Sequence, residues 1–334
     1  MLRTALGRSE WTRAAAEHGA RVASLLAEGR DAKGGLRADH PIFNFLRSYY
    51  FVKSAADVRK KLTRWSPGAL AWLRLGNIPD AEQDQTLSAL RLERAPQDEP
   101  PPHDGRLQDS SSYCRVIVTQ KDADALHFVQ GVLQSTTTNA PVLNCFGMHE
   151  WAMLYQEADE DEPFAAQFQS LPRRVAQQDI NATVRALKVN CTHFDAMRFF
   201  AKSAKTYSRH HDIDREQSFV SENPACLHAQ MDLLRHALKL GALIPGAMLA
   251  NALELALEAR ALDVAASPYD ATAFGLEPVA VETEVGKAEY KTRQLRLAQR
   301  ARPLRRAMLD YTRAVIDARV DPYASKEAAS GAHA

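Results

Sequence analysis

From Ser221 onward, apolar residues recur at three- and four-residue spacing over most of the remaining chain. A stripe of that period is buried only when helix packs on helix, so this feature narrows the fold more than any other. Leu227 to Leu240 forms one amphipathic stretch, and Pro245 opens the next, with Leu249, Leu253 and Leu257 four residues apart. Thr283 is placed to cap a last long helix, Glu284 to about Ile316, with Pro303 as a potential kink. Upstream, Ser9 is placed to cap a helix running to about Gly29, and Lys121 to Gln134 carries Leu126, Val129 and Leu133 one turn apart. Ser54 to Asp57 resembles a helix start and Ser66-Pro67-Gly68 a stop. The Arg115-Val116-Ile117-Val118-Thr119 run is a short strand candidate, and Thr183 to Asn190 alternates enough to be another. The fold expected is mainly α, a single large helical domain over residues 1–334 with a few short strands. A Pro/Ser-rich surface excursion is expected at 94–112, and a flexible tail from about 320.

Composition excludes other classes. With 46% hydrophobic and 25% charged residues among 334, the chain is neither disordered nor a disulfide scaffold. Lysine plus arginine number 42 against 41 acidic residues, so no global field selects nucleic acid or a membrane surface. Four cysteines without a framework spacing, and no apolar segment near Met1, suit a reduced cytoplasmic protein. The most apolar stretch, Gly241 to Ala259, contains Pro245, Asn251, Glu254 and Glu258, which suits a core helix and not a membrane span.

No phosphate loop, dinucleotide fingerprint, nucleophile elbow or HExxH motif occurs. Histidine, cysteine and carboxylate residues concentrate instead in three short segments: Asn144 to Trp151, Asn190 to Asp195, and Pro224 to Asp232. His228 and Asp232 lie four apart and share a helix face, which suits a common ion or a hydrogen bond. His236 continues that face, but about 12 Å along the axis, too far for the same ion. His149 and Glu150 diverge on a helix, and His193 and Asp195 point the same way only on an extended chain. Cysteines as small buried hydrophobes and histidines as satisfied core groups account for the same pattern. Glu150 next to Trp151 could be a carboxylate of raised pKa suited to acid–base work, or a structural partner of Arg198 or Arg64. Asp195 and Arg198 read most simply as an ion pair.

A third signal is cationic and aromatic. Arg47, Lys53, Arg59, Lys60, Lys61 and Arg64 surround Tyr49, Tyr50, Phe51 and Trp65, and Lys287 to Arg313 holds nine Lys and Arg against Glu289 and Asp310. Such stripes can follow a phosphate backbone, although most basic runs are solvated helix faces.

Taken together, these segments resemble a bacterial family carried under the name 3-methyladenine DNA glycosylase. The resemblance lies in His40-Pro41-Ile42-Phe43-Asn44-Phe45-Leu46 with Tyr49-Tyr50, in Arg64 to Gly68, in Asn144 to Met153 and in Cys191 to Phe200. It continues in Cys226-Leu227-His228-Ala229, Asp263, Ser267 to Asp270 and Gly286 to Tyr290. Asn223-Pro224-Ala225 and Leu234-Arg235-His236 depart from the family pattern. The resemblance implies a repair enzyme that extrudes an alkylated purine from duplex DNA, held through local basic faces. In that role Glu150 or Asp195 would stabilise the sugar cation or activate water, and His149 or His193 would carry protons. Tyr49, Tyr50, Trp65 and Trp151 would stack on the base, with Arg64 and Arg198 as further substrate contacts. The competing expectation is an enzyme acting on a small molecule, with His149, Glu150, His193, Asp195, His228 and Asp232 around one or two ions, zinc or iron. A helical interaction protein is the third.

Overall fold

The computed structural model describes residues 5–33, 35–48, 60–75, 80–94, 113–158, 171–191, 193–197, 199–210 and 222–320, with 80–84 and 194–195 described in their backbone only. The Pro/Ser-rich segment beyond residue 94, the Ser54 helix start, Tyr49, Tyr50, Arg198 and the tail beyond 320 lie outside these residues. In chain order the helices are α1 (Arg8–Leu25), α2 (Phe45–Ser48), α3 (Asp80–Leu90), α4 (Gln120–Thr138), α5 (Met148–Met153), α6 (Gln177–Leu187), α7 (Phe194–Met197), α8 (Leu227–Leu240), α9 (Gly246–Ala265) and α10 (Glu284–Val315). Helix predominates, so the fold is mainly α. A small sheet accompanies it, in the order β1 (Ala5–Leu6), β2 (Trp72–Arg74), β4 (Tyr113–Val116) and β3 (Leu92–Arg94). β1 runs parallel to β2, whereas β4 pairs antiparallel with both β2 and β3.

The C-terminal helices form the centre. α10 is 32 residues long, about 48 Å at 1.5 Å per residue. The Thr283 hydroxyl caps it by accepting the Gly286 N–H at 3.0 Å. Tyr290, Gln294, Leu297, Ala301, Arg305, Met308, Thr312 and Val315 are its buried stripe, three and four residues apart. The helix runs through Pro303, whose ring faces solvent. That stripe lies along α4, α8 and α9. α8 is buried on almost every side: eleven of its fourteen residues are enclosed, among them His228, Gln230, Asp232 and His236. A helix buried all round normally carries apolar residues alone. Four enclosed polar side chains on one therefore demand partners or a purpose.

α9 begins after Pro245 at Gly246, where a Cβ would meet Trp65 Cδ1 at 2.8 Å and His18 Nδ1 at 3.2 Å. Only glycine lets α1 and the 65–68 segment come this close to the start of α9. One continuous cluster of buried apolar residues joins Val22 in α1 to Leu46, Trp151, α8, α9 and Val315 at the end of α10.

Several local expectations need correction. Thr183 to Asn190 is not a strand: 177–187 form α6, whose Ile180 and Val184 are buried one turn apart. Four alternating residues fit either period, and burial at i, i+4 decided for helix. Lys188 then leaves the helix at φ +60°, and only Val189 makes an isolated bridge, to Ser208. The strand near Arg115 spans Tyr113–Val116 instead of continuing to Thr119, because Thr119 is the N-cap of α4 and accepts the Asp122 N–H. α1 starts one residue before Ser9, with the Gly7 N–H donated to Glu10 at 2.8 Å, and ends at Leu25.

His18 gives the helical core a pH dependence. Its Nε2 lies 2.8 Å from the Leu62 carbonyl, and burial pulls its pKa down against the opposing pull of that carbonyl. A histidine with a depressed folded pKa contributes stability above the unfolded value near 6.5 and loses it as pH falls below that value. His18→Gln keeps a donor for Leu62 but cannot titrate. The thermal midpoint of the wild-type protein should therefore fall more steeply between pH 7.5 and 5 than that of the variant. Parallel curves would show that His18 is not coupled to folding.

Candidate metal centre

The Asn144–Trp151 segment turns into the core through two consecutive residues of positive φ, Phe146 at +47° and Gly147 at +66°. A non-glycine residue in that region costs about 1–2 kcal/mol. The turn starts α5 so that Met148, His149, Glu150, Trp151 and Ala152 are all buried. Trp151 fastens the helix by donating its indole N–H to the Ala266 carbonyl at 2.9 Å.

Arg260 of α9 pairs with two carboxylates brought in beside it. Its Nη1 lies 2.5 Å from Glu150 Oε1 and 2.5 Å from Asp263 Oδ2, and its Nε donates to the Pro41 carbonyl at 3.3 Å. Those two carboxylates raise the Arg260 pKa against its burial. Burial opposes ionisation of Asp263, but His149 and Arg260 hold its carboxyl below the usual carboxylate range. Burial works to lower the pKa of His149, but Asp263, by its charge and its contact with the ring, together with Glu150 and Cys226, raises the imidazole above its ordinary value. His149 Nε2 and Asp263 Oδ1 are 3.0 Å apart, poorly aligned for a hydrogen bond, and neither atom has another hydrogen-bond partner. Two buried polar atoms without a hydrogen-bond partner are costly unless something else joins them.

Three histidines meet here. The rings of His149 and His228 lie edge to face, centroids 4.3 Å apart at 62°, and those of His193 and His228 stack at 4.5 Å and 4°. Burial, with His149 and His193 alongside, drives the His228 pKa well below its ordinary value, so its nitrogens stay neutral. Cys226, the N-cap of α8, has its sulfur 3.9 Å from His228 Nδ1, and Cys191 lies against it; all four cysteines are free thiols. Contact with Cys191 and burial push the Cys226 thiol up, and burial pushes Cys145 up to about 11. Ligand atoms of His149, Cys191 and His228 all fall within 4.8 Å of one another. Zinc bonds of about 2.0 Å to nitrogen and 2.3 Å to sulfur put donor atoms within about 4.3 Å of one another, so the three groups are close to ligating distance. Beyond His193, Asp232 Oδ2 lies 3.8 Å from His193 Nε2, and Glu222 completes a second group within 4.8 Å. Burial and the neighbouring Asp232 push Glu222 up to about 8.

Of the residues expected at the site, His149, Glu150, His193, His228 and Asp232 come together. The backbone of Asp195 lies two residues beyond His193 in α7, and its side chain is outside the described atoms. Trp151 is fully buried, and Trp65 is enclosed and stacks on Trp11 at 6.5 Å, so neither ring offers an open face to a base. Arg64 is exposed. Glu150 does have an arginine partner, but it is Arg260, not Arg64. The basic stripe of α10 is largely engaged: Arg300 with Glu254 and Glu258, Arg293 with Glu289, Lys287 with Glu284, and Arg305 buried against Gln230. Arg296, Arg302 and Arg306 are exposed. Cys191, Glu222, Arg260 and Asp263 were not assigned roles from sequence. The i, i+3 spacing of Arg260 and Asp263 is a weak signal for the last two, because Glu254 and Glu258 charge the same helix.

Compared with known proteins, the chain matches no family model, no curated protein and no solved structure.

Removing Arg260 should leave two buried carboxylates without their cation. Breaking a buried ion pair from one side costs about 3–5 kcal/mol, so Arg260→Met should lower unfolding stability in guanidinium by about that amount. Adding Glu150→Gln should recover part of it. A loss below about 1 kcal/mol would mean that the carboxylates do not depend on this cation.

Proposed function

We propose that this chain is a metal-dependent enzyme acting on a small molecule, with zinc or iron held by His149, Cys191 and His228. The observation that carries the reading is the meeting of three imidazoles and two thiols from three distant segments in one enclosed site. Burying that many polar groups is unfavourable for a core, whereas imidazole nitrogens and thiols that can each lose a proton to the ion are what a borderline-soft cation selects. Asp263 stands behind His149 as the carboxylate that orients a ligating histidine. When bound, the ion supplies Lewis acidity. His193 and Arg235 are less enclosed than His149 and His228, which makes their side the direction of substrate approach. A site this enclosed suits a small molecule better than a nucleotide carried on a duplex.

The glycosylase reading that the resemblance implies has less support. Trp65 and Trp151 are enclosed, and most of the α10 cations are already paired or buried. The test is metal analysis of protein purified without a histidine tag. About one ion per chain or more is expected, with loss of that ion in Cys191→Ser and in His228→Ala. Asp263→Asn should weaken its affinity by about 10–100-fold. Wild-type protein that binds no transition metal, while excising a base from alkylated DNA, would replace this reading with the other.

A further inference from the structure

The stacking of His193 on His228 has its own consequence, which rests on the metal reading above. An imidazole ligates along a lone pair in its ring plane. Two rings 4.5 Å apart and within 4° of parallel have lone pairs that run side by side and never converge. An ion on His228 therefore stands well off the plane of His193. His149, tilted by 62° to His228, has no such bar. His193 instead faces the opposite group: its Nε2 is 3.8 Å from Asp232 Oδ2, beyond hydrogen-bond distance but within the span of two ligand bonds of about 2.1 Å each. Glu222, held by the Thr136 hydroxyl at 3.3 Å, brings the third donor.

The two groups differ in chemistry. His149, Cys191 and His228 offer nitrogen, sulfur and nitrogen. His193, Glu222 and Asp232 offer one nitrogen and two carboxylates, a harder set suited to Mn²⁺ or Fe²⁺. A third grouping, His149 with Glu150 and Asp263, is not equivalent, because Arg260 already pairs with both carboxylates at 2.5 Å. Arg235 approaches Asp232 from the other side, 3.8 Å from Oδ1, so Oδ2 is the oxygen turned to His193.

We propose that His193, Glu222 and Asp232 hold a second divalent cation of the Mn²⁺ or Fe²⁺ class beside the nitrogen–sulfur site, so that the protein is dinuclear with unlike ions. Each ion would lie in the plane of its own ring, the first on His228 and the second on His193.

The test uses the full chain, stripped of metal and loaded first with one equivalent of Zn²⁺ and then titrated with Mn²⁺. Elemental analysis should give one zinc and one manganese per chain, and the free-Mn²⁺ paramagnetic resonance signal should fall as the second ion binds. Glu222→Gln and Asp232→Asn, near-isosteric changes, should each lower Mn²⁺ affinity at least tenfold while zinc content stays at one. Wild-type protein that takes up zinc but no manganese would overturn the second site and leave the first standing. Manganese bound equally well by both variants would also overturn it. No uptake of either ion would sink both readings, and manganese uptake without zinc, sensitive to Asp232→Asn, would sink only the first.

Discussion

The clamp of Arg260 between Glu150 and Asp263 is the interaction on which the rest of the site depends. A cation in the core is tolerable only beside opposite charge, and a carboxylate there only beside a cation. Because Arg260 serves both, α5 and α9 are locked together at the point where His149 projects inward. Asp263 then has one oxygen for the arginine and one for the histidine. The position of His149, and through its ring contact that of His228, follows from this single guanidinium.

A second constraint is α8. Enclosed on nearly every side, it carries His228 and Asp232 on one face and Gln230 on another, where Gln230 accepts from buried Arg305 and donates to the Pro224 and Cys226 carbonyls. Gln230 fixes the chain just before the helix, which places Cys226 against His228. Gln294 does the same from α10, donating to the Ala225 carbonyl at 2.8 Å. The histidines, thiols and carboxylates thus sit on a frame in which Gln230 and Gln294 tie the 224–226 backbone to α8 and α10.

The helices were readable in the sequence because their apolar residues recur at three- and four-residue spacing between capping signals. Leu227–Leu240 and the Thr283-capped helix could be bounded to within about a residue from period and capping alone. α6 could not, since its short alternating run satisfies two periods and only the burial of Ile180 and Val184 distinguishes them. At the site, His149, His193 and His228 were visible as the centres of three unusual segments. Which of them share an ion was not visible, because ring orientation is set by tertiary contacts. Glu222 lies in a loop with no periodic signal, and Arg260 looks like any charged residue on a helix until the carboxylates across from it are known.

Cobalt substitution tests the central claim most directly. Zinc-free wild-type protein loaded with one equivalent of Co²⁺ should show intense visible bands of a four-coordinate ion together with a near-ultraviolet sulfur-to-cobalt charge-transfer band. That charge-transfer band should disappear in Cys191→Ser while His193→Ala retains it. Cobalt bound without a sulfur band, or not bound at all, would contradict a metal centre built on His149, Cys191 and His228.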